Sequence, residues 1–251
     1  MKLKDKVAIV TGGGRGMGRE IALALSQEGA QVVLFARTAN EINSVAVEIR
    51  GQGGKAVTIT GDVRSEADIK GLFQQTLAKY SRLDILVNNA GTAWGKMGLA
   101  HVKDMPLEDF LLVLNTNVVG TFLCCRAAVG IMVPQKSGVI INLIGQGAGG
   151  SPGYPGYAAY NASKSAIEIF TMTLAKEVAE YNIRANNLQP GGAYAGTQAD
   201  RVPGQKSRFP FLQPRIIRPL VVFLAGDESK GITGKNFRVP EWNKEHGYPN
   251  E

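Results

Sequence analysis

The chain has 251 residues, 44% hydrophobic and 20% charged, with 31 glycines and a formal net charge of +7. That size and balance suit one large α/β domain with a sizeable core and exclude a low-complexity chain. The positive charge comes without a Lys/Arg block interleaved with aromatics, so an anionic cofactor or plain solubility explains it at least as well as a nucleic-acid partner.

Lys6–Val10 is a short apolar run and is predicted to be the first strand. It runs into Thr11-Gly12-Gly13-Gly14-Arg15-Gly16-Met17-Gly18, after which Ile21, Ala22 and Leu25 recur at helical spacing as far as Gly29. A strand, a glycine turn and a helix provide the setting of a dinucleotide loop: the backbone can approach a pyrophosphate, whose charge meets the helix N-terminus. Further strands are predicted at Gln31–Ala36, Lys55–Thr60, Leu83–Val87, Gly138–Leu143, Ile183–Gln189 and Asn236–Val239. Helices are predicted at Ala39–Arg50, from an N-cap at Ser65 to Tyr80, at Pro106–Val133 with a break near Gly120, at Tyr157–Tyr181 and at Arg215–Gly226. Residues 92–105 and 145–156 read as loops, 192–214 as a lid or substrate loop, and 240–251 as an irregular polar tail. Alternating strands and helices predict a Rossmann-type, doubly wound, mostly parallel seven-stranded sheet with helices on both faces, as one domain over residues 1–251.

No apolar run is expected to reach the ~18–20 residues that span a bilayer, and Met1–Lys6 opens without the apolar core of a signal peptide. Cys124 and Cys125 are adjacent, and His101 and His246 are far apart, so neither a long-range disulfide nor a metal site is expected. This fits a reducing cytoplasm.

Tyr160 and Lys164 lie four apart on a predicted helix, hence on one face. A free tyrosine titrates near pH ~10. A neighbouring cation would lower that value and make the pair a usable general acid/base.

Taken together, Thr11-Gly12-x-x-x-Gly16-x-Gly18, Asn88-Asn89-Ala90-Gly91, Asn117-Val118-Val119-Gly120, Tyr160-x-x-x-Lys164 and Pro190-Gly191 resemble the short-chain dehydrogenase/reductase family in its single-domain form, over roughly residues 4 to 239. The resemblance implies roles for the matching positions. Gly12, Gly16 and Gly18 would line the cofactor pyrophosphate, with Arg15 and Met17 also in the cofactor site. Asp62 and Val63 would hold the adenine edge, and Asn88, Ala90 and Gly91 would run along the adenosine side, with Asn88-Asn89 steadying the central sheet. Lys164 would bond the nicotinamide ribose, and Pro190 and Gly191 would meet the nicotinamide. Tyr160 would exchange a proton with the substrate oxygen, and Asn117 would hold a helix kink and support the proton relay.

Cofactor choice follows from charge. A carboxylate at the end of the second strand would repel a 2′-phosphate. Ala36 and Arg37 stand there instead, and Arg15 is within reach, so NADP(H) is expected over NAD(H). One departure concerns the chemistry. The family's catalytic serine aligns with Gly145, which has no donor side chain. Gln146 or a loop N–H could hold the substrate oxygen instead. Alternatively, the substrate needs less polarisation, or the chain is a catalytically impaired nucleotide-binding regulator or scaffold. Tyr194, Phe209 and Phe211 are expected to form an apolar substrate wall. The implied reaction moves a hydride between nicotinamide and a ketone or secondary alcohol. A homodimer or homotetramer would form through the two long helices.

Overall fold

The computed structural model describes residues 1–145, 148, 153, 155–191 and 212–250. The predicted residues Gln146, Tyr194, Phe209 and Phe211 lie outside them.

Among the described residues seven strands form one sheet: β1 (Val7–Thr11), β2 (Gln31–Ala36), β3 (Lys55–Thr60), β4 (Ile85–Asn88), β5 (Gly138–Leu143), β6 (Ile183–Gln189) and β7 (Asn236–Arg238). Their order is β3-β2-β1-β4-β5-β6-β7, and every neighbouring pair is parallel. Two-sided cover favours apolar strands, and β1, Val-Ala-Ile-Val-Thr, is buried at all five positions. Successive side chains point to opposite faces. Ala8 and Val10 join a core with α1 (Gly16–Gln27), α2 (Ala39–Gly51) and α7 (Arg218–Ala225). Val7 and Ile9 join a second core on the other face, with α3 (Glu66–Tyr80), α5 (Gly120–Gln135) and α6 (Ala158–Glu177). The chain reverses its winding between β1 and β4, which opens a crevice at the carboxyl ends of those strands, the usual place for a ligand in such sheets.

The N-cap at Ser65 forms as the sequence implies, its hydroxyl accepting from Asp68 N at 3.2 Å. The long helix beginning after Pro106 is interrupted. α4 (Leu107–Leu114) passes through a π-helical turn, Asn115–Val119, before α5 continues. A π turn inserts one residue into the ladder and bends the rod.

Two expectations are corrected. The run Leu107–Gln135 has an 18-residue window of mean hydropathy 1.6 and is long and apolar enough to cross a membrane by length and composition. Its inner face packs on β4, β5, α3 and α6, so burial in the core accounts for much of that apolarity. The tail from Pro240 is not irregular. Val239–Glu245 forms α8, with Pro240 in its first turn, where a missing N–H costs nothing. Trp242 is buried against Phe223, and the His246 ring stacks on it at 4.1 Å. One large aromatic anchors an otherwise polar segment.

Candidate active site

The glycine loop joins β1 to α1. A Cβ on Gly18 would lie 2.0 Å from the Gly12 carbonyl oxygen, so only glycine allows this approach of helix to loop. Gly12 has φ +64°, the left-handed region. Thr11 Oγ1 accepts from Asn89 N and Ala90 N, both at 3.1 Å. Asn89 Nδ2 donates to the Thr11 and Gly12 carbonyls, both at 3.0 Å. The loop is therefore tied to the exit of β4. The first turn of α1 carries no acidic residue and Arg15 precedes it, so the N-terminal end of the helix is positive and fits a pyrophosphate. Met17 packs its side chain against the core behind the loop.

The residues expected along the adenosine side already hold protein partners. Asp62 accepts from Arg64 N, Nε and Nη2, the last at 2.6 Å. The guanidinium holds this carboxyl below its usual range. Val63 packs against Gly120 of α5. Ala36 ends β2 and Arg37 is exposed beside it. No carboxylate stands at the end of β2, as expected, but Glu41, in the first turn of α2, pairs with Arg15 at 3.2 Å. The two residues are 26 apart in sequence, and the fold of the loop against α2 brings them together. Asn88 Nδ2 donates to Asn142 Oδ1 on β5 at 2.8 Å, so it braces the centre of the sheet.

Tyr160, Lys164 and Asn117 converge at the ends of β4 and β5. Asn117 sits in the π turn, fully buried. Its Oδ1 accepts from Thr92 N at 2.8 Å, and its Nδ2 donates to Thr92 O and Ser163 Oγ, both at 2.9 Å. Ser163 Oγ donates in turn to the Tyr160 carbonyl at 2.7 Å. The side chain of Asn117 thus locks the loop after β4 to the helix that carries Tyr160. Gly91 lies at the same junction, where a Cβ would be 3.1 Å from Asn117 Oδ1 and 3.7 Å from Lys164 Nζ.

Lys164 Nζ donates to Leu143 O at 2.7 Å and stands 5.7 Å from the centre of the Tyr160 ring. Burial alone pushes this lysine down to about 8. Tyr160 is pushed up to about 12, chiefly by burial and further by Tyr157. The sequence argument that the ammonium would lower the phenol is therefore reversed in this structure. Both groups are desolvated, which disfavours the charged form of each.

Gly145 lies two residues past the end of β5, and a Cβ there would lie 2.3 Å from Tyr160 Oη. The phenol hydroxyl fills the space that a side chain at 145 would occupy. Gly145 O accepts from Gln189 Nε2 at 3.3 Å. Pro190 follows β6, and a Cβ on Gly191 would lie 2.4 Å from Pro240 Cγ, so α8 abuts this loop. Trp94, Tyr157 and Tyr160 form an edge-to-face series with ring centres 6.1 and 6.2 Å apart. Sequence reasoning gave no role to Thr92, Trp94, Tyr157, Ser163 or Gln189, and quoted Thr11 only as the opening of the glycine motif. Thr11 and Gln189 each leave a trace in the sequence, as a polar residue closing a buried strand.

The chain matches the family model for short chain dehydrogenases over residues 6–206. It is 36% identical over 246 residues to a 3-oxoacyl-(acyl-carrier-protein) reductase of Synechocystis sp., covering 94% of this chain and 96% of that one. A solved structure of NAD+-bound xylitol dehydrogenase has TM-score 0.85 at 31% identity, covering 95% of this chain and 98% of that one. A variant of actinorhodin polyketide ketoreductase with NADPH also has TM-score 0.85, at 30% identity, covering 93% and 95%. The protein belongs to the short-chain dehydrogenase family of oxidoreductases.

Proposed function

We propose that this protein is an NADP(H)-dependent ketoreductase of the short-chain family, acting on a small 3-oxo or related ketone, with Tyr160 as the general acid. The observation that carries the reading is the convergence of Tyr160, Lys164 and Asn117 beside a glycine loop whose helix end fits a pyrophosphate. A bound nicotinamide supplies the hydride. The protein's own residues do the rest. Tyr160, holding its proton well above neutral pH, delivers it to the carbonyl oxygen as negative charge develops there. Lys164 exchanges its bond to Leu143 O for the cofactor ribose and, once positive, restores the proton. Asn117 positions the helix of Tyr160 through Ser163. Pro190 and Gly191 meet the nicotinamide, with Pro240 behind them.

Arg37 and Arg15 favour a 2′-phosphate, and Glu41 would give up Arg15 to it. The relatives named as 3-oxoacyl reductases and the NADPH-bound neighbour support this choice, while the NAD+-bound neighbour shows that the fold serves both cofactors. Arg37→Ala should cut the preference for NADPH over NADH roughly tenfold, about 1.4 kcal/mol. Equal catalytic efficiency with the two cofactors in the wild type would contradict the assignment.

The exposed apolar residues Leu107, Leu111, Phe122 and Ile169 on α4, α5 and α6 suit a second copy of the chain. Cys125 is a buried free thiol pushed up to about 12 by desolvation, in keeping with a reducing cytoplasm. The second reading, a nucleotide binder without turnover, draws on Gly145. Purified protein given NADPH and a panel of 3-oxo esters and ketones decides between them. Carbonyl-dependent oxidation of NADPH supports the ketoreductase, and tight NADPH binding with no turnover supports the binder.

A further inference from the structure

We infer, resting on the ketoreductase reading, that α8 is a positioning element for hydride transfer: Pro240 holds the backbone of Gly191 where the nicotinamide meets it. β6 and β7 run parallel, with Gln189 opposite Arg238. Gly191 and Pro240 each lie two residues beyond that pair, so the two chains leave the sheet side by side. A Cβ on Gly191 would lie 2.4 Å from Pro240 Cγ and 2.5 Å from its Cδ, so that edge of the ring rests against the glycine Cα. Gly191 has φ +72°. A glycine restrains its own backbone least of all residues, so its place is set from outside.

A proline makes a stiff backstop, because its ring fixes φ. The helix that presents it has seven residues, too few to be stable alone, so its position depends on its anchors. Val239 and Trp242 are buried. Asn243 is fully buried, and its Nδ2 donates to Ile216 O at 3.0 Å and to Asn250 Oδ1 at 3.1 Å. Asn250 Nδ2 donates in turn to Pro240 O at 3.0 Å. A chain of bonds thus runs from Pro240 to the 3-10 turn Pro214–Ile217. α8 meets the described chain on both sides of residues 192–211, at Gly191 before them and at Ile216 after them. Reacting atoms must come within ~3–3.5 Å, and a shift of ~1 Å from a distant change can cost on the order of 10²-fold. Pro240 therefore acts on the chemistry through Gly191, without touching the substrate.

The test uses the full chain with NADPH and the panel of 3-oxo esters and ketones, read on the best wild-type substrate. Pro240→Ala removes Cγ and Cδ and keeps the chain trace. Single-turnover hydride transfer, followed by nicotinamide absorbance, should slow roughly tenfold, with the NADPH dissociation constant from fluorescence titration unchanged within about twofold. Pro240→Val puts γ carbons back beside Gly191 and should recover most of the rate. A role through backbone stiffness alone would leave the alanine and valine variants equally slow, and that outcome would overturn the inference. So would a wild-type rate in Pro240→Ala. If that variant fails to fold, Asn250→Ala, which frees the Pro240 carbonyl, should slow the same step about threefold, and an unchanged rate there would overturn the inference. Wild-type turnover abolished by Tyr160→Phe and kept by Pro240→Ala would sink the positioning role alone. No wild-type turnover on any carbonyl would sink the ketoreductase reading and this role together.

Discussion

The cofactor end and the substrate end of this site are built from different material. At the glycine loop the recognition groups are backbone atoms, fixed by Thr11 and Asn89 through four bonds of 3.0–3.1 Å. At Gly145 the relevant groups are side chains in contact, with Tyr160 Oη against the Cα and Gln189 Nε2 on the carbonyl. Backbone recognition is set by loop shape and tolerates no added atom. Side-chain recognition is set by packing and can rearrange when substrate arrives.

Substitutions at the two ends should therefore separate binding from chemistry. Gly18→Val drives a branched side chain into the Gly12 carbonyl. NADPH affinity should fall at least ~100-fold and thermal stability should drop with it. Binding near wild type, measured by fluorescence titration, would show that the loop is softer than its geometry. Gly145→Ala places a methyl where Tyr160 Oη now lies. Turnover should fall on the order of 10- to 100-fold through the misplaced acid, while NADPH affinity holds. Loss of cofactor binding in Gly145→Ala would erase the distinction between the two ends.

Lys164 links them and reports on burial. Its native pKa is held to about 8 against an ordinary 10.5. Between those values the unfolded chain binds the proton and the native chain does not. The lysine's contribution to stability is therefore present above the ordinary value and is lost as the pH falls through about 8. Without cofactor, the stability of wild type relative to Lys164→Met should rise by roughly 2–3 kcal/mol at most between pH ~8 and ~10. Tyr160 titrates in both proteins and cancels. Chemical denaturation across that range measures the gap, and a constant gap would mean that the ammonium is well solvated.

Legibility in the sequence divides along the same line. The glycine loop, Asn88-Asn89 and the alternation of strands and helices leave residue-type signals, because close backbone approach demands glycine and two-sided burial demands apolar strands. The Tyr160–Lys164 spacing was legible too. The direction of their pKa shifts was not, because the burial that desolvates the pair, such as Lys164 against Leu143 of β5, exists only in the fold. The pairing of Glu41 with Arg15 was hidden for the same reason. The helix at Val239–Glu245 was hidden because one buried tryptophan, not a periodic stripe, anchors it. Gln189 reads as an ordinary strand residue until the fold sets its amide on the Gly145 carbonyl.

The central claim, that Tyr160 is the acid at a site whose cofactor end stands independently of it, is tested most directly by Tyr160→Phe. The variant removes one oxygen and keeps the ring. Carbonyl-dependent NADPH oxidation should fall by about 10²–10⁴-fold, with NADPH titrating as in wild type. Full turnover in that variant would show that the proton comes from elsewhere.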